Sequence, residues 1–574
     1  MATEENTMDV VSNSLPATKN TVIRNATRDY LSTVDLSNIP SPDEIEAGII
    51  NEVKIAFDLE NAIRPKGSKW KVPDELIPAQ IADILLKLYP VANVCCAGEN
   101  ADTAYDILSV YQYDGPNKGI YVSDDEEFNK LVRQFNYGIS QKGIEEVRAT
   151  VKTYAPRVKV CIEKNLIAVN NGVFDYDTKK LLPFTPELVF TVKSKVDYND
   201  KAQNVKIHNS DDNMDWDVES WMKSLSDDID VVNVLWQVIG AIIRPNVRWG
   251  KSAWFYSETG NNGKGTLCEL MRALCGDGSY ASISLSEMGK DFMLEPLVRA
   301  SAIIVDENDV GTYIDKAANL KAIITNDVIQ INRKFKTPIA YRFRGFMVQC
   351  LNEMPRINDK SDSFYRRQLF IPFQKCFTGV ERKYIKEDYL HRKEVLEYVL
   401  YKVLNMDYYS FTVPTACELA LEEYKEYNDP FTQFMKDIMP KLKWNFVPFG
   451  FLYDVYEAWC KRYGVRKENN PISGITAFKK AVNEYLVQNL DWDCDTNKSQ
   501  RPGKDMDGSE PLIWEYNLQR WMNPKYIGTD QINFMCVTPV KSTYQGIRRK
   551  NKIEQRTDVN FDAFAKDDTD GQSE

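Results

Sequence analysis

Only two histidines, His208 and His391, occur in the 574 residues, and the eleven cysteines are scattered without a single C-x-x-C spacing. A zinc site built from Cys and His is therefore not expected, nor is a disulfide framework, and a reducing compartment is the simpler reading. The cysteines are expected to be mostly small core residues. Long apolar runs are also missing. The longest, Val231 to Ile243, is interrupted by Asn233 and Gln237 and falls short of the roughly 20 residues that a membrane helix needs. Residues 1–25 contain Glu4, Glu5 and Asp9 and no apolar core of a leader, so no secretory signal is expected, the chain is expected to begin near Met1, and a cytoplasmic location follows. Positive charge is in deficit: the net charge is -11, which excludes a protein that coats nucleic acid with its whole surface. Any such contact must be local.

What is present is ample material for packed cores, with 43% hydrophobic residues and 25 Phe, 30 Tyr and 11 Trp, in a chain too long for one core. Residues 1–50 are polar and are expected to form a flexible arm. Residues 51–218 read as a mixed α/β domain with a collar or docking role. Within it, Ile167 to Asp200 alternates like strands around the turn signal Asn170-Asn171-Gly172. The acidic stretch "SDDNMDWDVE" is expected to be a loop at a domain seam. Residues 219–380 form a motif-bearing block with preceding helices. Residues 381–435 read as a helical connector, 436–530 as a small separate domain, and 531–574 as a mostly disordered tail.

The chemistry concentrates in "SETGNNGKGTLCEL", Ser257 to Leu270. A phosphate-binding loop needs a strand, a turn of converging N–H groups, a lysine and a helix N-terminus. Here "SAWFY" is the strand, Gly260 and Gly263 permit the turn, Asn261 and Asn262 fill it, Lys264 carries the charge, and Leu267, Leu270, Met271 and Leu274 stripe the helix. The general pattern wants glycine where Glu258 stands and a hydroxyl where Gly265 stands, and Thr266 comes one place late. Downstream, the apolar strand "SAIIV" ends in Asp306-Glu307, a carboxylate to support Mg²⁺ and one to orient or deprotonate water. A third strand, "FMVQCL", ends in Asn352, suited to a hydrogen bond with the attacking water or γ-phosphate. Arg366 and Arg367 precede a fourth, "QLFIPF", where an arginine at a subunit edge can act on a neighbour's transition state.

This order of motifs resembles the superfamily 3 helicases, in the branch of phage, plasmid and large-DNA-virus primase-helicases. The family's N-G-K-G-T is matched by Asn262 to Thr266, so the resemblance implies that Thr266 serves the metal and that Asp306, Glu307 and Asn352 are the acidic pair and the sensor. It implies a P-loop, AAA+-like α/β core with a small winged-helix-like C-terminal domain, ATP and Mg²⁺ as cofactors, and Arg367, ahead of Arg366, as the trans-acting finger. No acidic residue occurs from Val328 to Asn352, while Arg333, Lys334, Lys336, Arg342 and Arg344 do. The pattern reads as two strands around a turn near Lys336-Thr337-Pro338, and the resemblance makes Arg333, Lys334 and Lys336 the DNA-contacting residues of a pore hairpin. The acidic run "SDDEEF", Ser123 to Phe128, reads as a solvated face, and no primase centre is seen. The basic residues Arg548, Arg549, Lys550 and Lys552 read as a solvated tail.

The expected function is an ATP-dependent replicative DNA helicase working on single-stranded and forked DNA. It would be a homo-hexameric ring moving 3′ to 5′, with a separate primase or polymerase, in the host cytoplasm if a phage encodes it. Two alternatives stay open: an ATP-switched origin-binding or loading protein without unwinding, and a non-enzymatic chain in which Glu258 and Gly265 mark a dead site.

Overall fold

The computed structural model describes residues 18–550 except 99, 310, 311, 315, 316, 335, 358, 464, 466–471, 473, 488–490, 497, 507 and 524–540. It divides into two units, Met1–Tyr424 and Lys425–Glu574.

The first unit opens on helices, not on an arm. Lys19–Thr33 is capped by Thr18, whose side chain accepts from the Thr21 N–H, and Pro42–Ala62 begins with a capping box between Ser41 and Glu44. These caps satisfy N–H groups that a helix end otherwise leaves open. Ile23, Leu31, Ile45, Ile49 and Phe57 are buried in one core with Ile81, Leu85 and Val147, each side chain contributing roughly 1.5–3 kcal/mol of burial. The expected flexible arm is thus corrected from residue 18 onward, because one face of each helix is apolar despite the polar average. A four-stranded sheet follows, in the order 121–122, 107–111, 91–95, 157–159.

The hairpin Leu166–Val169 to Gly172–Asp175 turns at Asn170-Asn171. Its Ile167, Val169 and Phe174 pack into the same core as the motif-bearing block, so the expected boundary at 218 is not a boundary between cores. The acidic stretch is itself a hairpin, Ile207–Asn209 with Met214–Trp216, turned by Asn213 at φ 56°.

At the centre lies a parallel five-stranded sheet. We number its strands β1 (Ser252–Tyr256), β2 (Tyr280–Ala281), β3 (Ala302–Val305), β4 (Phe346–Leu351) and β5 (Gln368–Pro372), and their order across the sheet is β2-β3-β4-β1-β5. Every residue of β3 and β4 is buried, as expected of parallel strands covered on both faces. The covering helices include Ile229–Ile242, α1 (Lys264–Cys275), α2 (Lys383–Glu387) and α3 (Lys393–Asn405), with Val395, Val399, Leu400 and Leu404 of α3 in the shared core. The expected connector is therefore part of this core. Because β4 lies between β1 and β3, the residues just after these strands meet along one sheet edge.

In the second unit, helices Pro430–Ile438, Phe449–Arg462 and Ile475–Leu486 pack with an antiparallel sheet whose central strand, Gly546–Arg549, pairs with Phe446–Pro448 and Trp492–Cys494. Phe434, Trp444, Phe451, Phe478 and Ile547 share its core. The expected boundary at 436 falls inside a helix, and residues 541–550 of the expected tail belong to the fold. Arg548 pairs with Asp505 and Lys550 with Asp493, while Arg549 lies over the Trp492 ring, so these cations are held by the sheet. Lys552 and the rest of the expected tail lie outside the described residues.

Candidate nucleotide site

The site is built where β1 ends. Its apolar run stops at Ser257, and the turn that follows uses two left-handed residues, Asn261 at φ 54° and Gly263 at φ 87°. Gly263 is needed twice over: its φ disfavours a side chain, and a Cβ would come within 2.6 Å of Leu225. Gly260 has no such requirement, since a Cβ there meets nothing within 4 Å. Glu258, the misfit, has no left-handed φ; its carboxylate accepts from the Tyr256 hydroxyl at 2.9 Å. The loop therefore starts without glycine at that position. Asn262, 4% exposed, staples the turn: its amide donates to the Thr259 carbonyl and its Oδ1 accepts from the Lys264 N–H at 3.3 Å. A strap crosses the outside, with the Phe377 N–H donating to the Asn261 carbonyl at 2.7 Å and the Asn261 amide donating to Glu381 at 3.0 Å.

Lys264 opens α1 and is 4% exposed. Its Nζ donates to Asn352 Oδ1 at 3.0 Å and to the Ser257 carbonyl at 3.4 Å. Burial pushes its pKa below the ordinary lysine value, as expected of an ammonium short of water. The structure thus brings together two residues read separately from sequence. Thr266 lies on the next part of α1 and lines a cavity of about 830 Å³ with Gly263, Trp221, Phe377 and Ile385.

Asp306 follows β3 and is held by a residue that the sequence reading missed. The Arg272 guanidinium, on α1, reaches both Asp306 oxygens, at 2.9 and 3.3 Å, and also lies 3.6 Å from Glu269. The Arg272 hydrogen bond holds the Asp306 carboxyl below its ordinary range, and Lys386 adds to the effect. Glu307 is exposed. Next to it, buried Asn308 donates to Gln349 Oε1 at 2.9 Å and to the Cys350 carbonyl at 3.0 Å, tying the acidic strand end to β4. Asp306 and Thr266 offer hard oxygen donors, which suit Mg²⁺. Among the described residues no three His, Cys, Asp or Glu side chains cluster to hold a metal, and each described cysteine is free.

Arg366 and Arg367 stand at the start of β5, where Gln368 pairs with Ser252. They lie at the opposite edge of the sheet from the phosphate loop, a strand length of roughly 16 Å away. Arg367 donates to the Ser363 carbonyl and, at 2.9 Å, to its hydroxyl, whereas the Arg366 side chain is exposed. Neither reaches its own chain's loop.

The basic hairpin pairs Val328–Arg333 with Lys336–Arg342. Lys334 lies in its turn, and Lys336, Thr337 and Pro338 belong to the second strand, a correction of the expected turn. Arg333 is engaged with the Thr337 carbonyl, and Lys334 is exposed. Lys336 pairs with Asp125, and Arg299 with Asp124 at 2.6 Å. The run expected to be a solvated face is thus the start of helix Asp125–Arg133, partly neutralised by cations.

Three families match along the chain: D5 N terminal like over residues 65–227, a family of unknown function (DUF5906) over 255–367, and Poxvirus D5 protein-like over 426–510. The DUF5906 match carries the loop, the acidic pair, the hairpin and Asn352. These matches, with a helicase relative, support a superfamily 3 helicase of the primase-helicase branch. A protein of Acanthamoeba polyphaga mimivirus named as a helicase, L207/L206, is 22% identical over 278 residues, covering 46% of this chain and 27% of that protein. The chain thus spans about a quarter of that relative's length. Among solved structures, the apo C-terminal region of NrS-1 (305-718) gives a TM-score of 0.38 at 15% identity over 74% of this chain and 98% of that one. The JCV helicase, solved with a bound acetamide compound, gives 0.22 at 14% over 42% and 63%. Both likenesses are slight and carry no argument. No described helix is long and apolar enough to cross a membrane.

Proposed function

We propose that this superfamily 3 chain is an ATP-dependent replicative DNA helicase. The observation that carries the reading is the contact of Lys264 with Asn352, on a sheet edge that also presents Asp306 and Glu307. In this reading the core is a P-loop, AAA+-like ATPase. The loop N–H groups, the α1 N-terminus and Lys264 bind the phosphates, and Asn352 turns from the ammonium to the γ-phosphate or the attacking water. Glu307, exposed and close to Asp306 in sequence, orients that water and takes its proton. Thr266 and Asp306 would hold Mg²⁺, which would supply charge neutralisation. Arg366 and Arg367, too far from their own loop, act on the nucleotide of a neighbouring subunit. The exposed Arg366 is as good a finger as Arg367, which must first leave Ser363.

A ring, hexameric by family resemblance, places the basic hairpins on single-stranded DNA, where Arg333, Lys334 and Lys336 neutralise phosphates and release counterions. The same resemblance gives 3′-to-5′ movement on forked DNA, a separate primase or polymerase, and a phage or mobile element as the setting. The winged-helix-like reading of the second unit is supported by the packing of helices Pro430–Ile438, Phe449–Arg462 and Ile475–Leu486 with a three-stranded antiparallel sheet.

The competing reading is an ATP-switched loader. The test is ATP turnover with and without single-stranded DNA, in the parent chain and in Lys334→Ala. A helicase is stimulated strongly, and the variant loses stimulation while still binding nucleotide. Nucleotide-dependent oligomers with little stimulation in the parent would favour the loader.

A further inference from the structure

The general phosphate-loop pattern places a hydroxyl directly after the lysine; this chain has Gly265. A Cβ built there meets a single atom within 4 Å, the Lys386 Nζ at 3.9 Å. An ammonium therefore hangs over the first turn of α1, beside the N–H groups on which an anion would sit. Lys386 lies on α2, and α2 is fixed against the site from both sides. Ile385 is buried in the core shared with α1, and the neighbouring Tyr384 donates to Asp212 at 2.6 Å. Among the described residues no hydrogen bond or ion pair takes up the Lys386 charge, although Asp306 feels it. Lys386 also lines the 830 Å³ cavity together with Thr266 and Gly263, and that volume falls in the range of small-molecule sites.

We propose that Lys386 is a second phosphate-binding lysine, supplied in cis from α2, which meets the nucleoside triphosphate on the face of the loop that Gly265 leaves open. Lys264 meets the phosphates from within the loop, next to Asn352; Lys386 meets them from the cavity side. A glycine at 265 then has a reason, because a side chain would stand between the ammonium and the anion. The inference rests on the nucleotide reading of the site and adds to it a residue far away in sequence.

The test is equilibrium binding of a fluorescent ATP analogue to the full chain, with competition by inorganic tripolyphosphate and by adenosine. It is run for the parent, Lys386→Ala and Lys386→Arg. Loss of one charge-assisted contact corresponds to roughly a ten- to hundredfold weakening. Lys386→Ala is expected to weaken ATP and tripolyphosphate by that factor, to leave adenosine unchanged and to flatten the dependence on salt, and Lys386→Arg is expected to recover most of the loss. Equal weakening of adenosine would mean that the variant has disturbed α2, and would overturn the phosphate role. Unchanged tripolyphosphate affinity in Lys386→Ala, with a parent that binds it, overturns the proposal alone. A parent that binds neither ATP nor tripolyphosphate overturns the nucleotide reading and this inference with it.

Discussion

Replacing Asn352 by alanine separates what this residue does for the fold from what it does for turnover. Its Oδ1 takes the stronger of the two hydrogen bonds from Lys264, 3.0 Å against 3.4 Å for the Ser257 carbonyl. A hydrogen bond to a charged group is worth about 1.5–3 kcal/mol. Lys264 is buried, but Asn352 is exposed, so water can take the vacated place. The stability loss should therefore fall below that range, at about 1 kcal/mol, and in a unit of this size a shift in Tm of about 2 °C or less. Turnover should respond much more. A positioned hydrogen-bonding group at the reacting centre typically contributes about 10²–10³ in kcat, so Asn352→Ala should retain ATP binding within a few-fold and lose at least about a hundredfold in kcat. The assay is steady-state ATP hydrolysis beside thermal unfolding of the same preparations. Turnover within about fivefold of the parent, or a stability loss above about 3 kcal/mol, would refute the assignment of Asn352 to the reaction rather than to the loop's own architecture.

Other outcomes follow from the same geometry. Gly263→Ala should abolish nucleotide binding, checked by titration with an ATP analogue, because it combines a φ of 87° with a 2.6 Å approach to Leu225; stability should fall by about 1–3 kcal/mol. Arg272 keeps the Asp306 carboxyl below its ordinary 3.8. A depressed carboxyl stabilises the fold above that unfolded value and loses the contribution as pH falls through the folded one. Asp306→Asn should therefore flatten the acid limb of the stability curve below about pH 4, measured by urea unfolding, and should also abolish hydrolysis. Lys336→Ala removes the pairing with Asp125 as well as a positive charge; the log–log salt dependence of single-stranded DNA binding should become shallower by about one.

Legibility in the sequence tracked how local each signal was. Lys264, Asp306 and Asn352 could be found because each follows an apolar strand that ends abruptly in a polar residue, and parallel strands bring such ends to one edge. Arg272 could not, since it lies on the polar face of α1 and its partner is a strand away. Lys386 had still less of a signal: a lysine on a five-residue helix, placed by the packing of Ile385. The N-terminal helices were legible in part, for the capping box in "SPDE" at Ser41 to Glu44 announces a helix start that the polar composition of residues 1–50 hid. The strand Gly546–Arg549 shows the reverse difficulty. Its buried Ile547 is a single apolar residue in a basic run, and only pairing with two distant strands makes it a core position.

The central claim is that the loop at Lys264 powers strand separation. Unwinding of a forked duplex with labelled strands, in Mg²⁺-ATP, compares the parent chain with Lys264→Ala. The parent should unwind the duplex in an ATP-dependent way and the variant should not. A folded parent that hydrolyses ATP without separating the strands would contradict that claim.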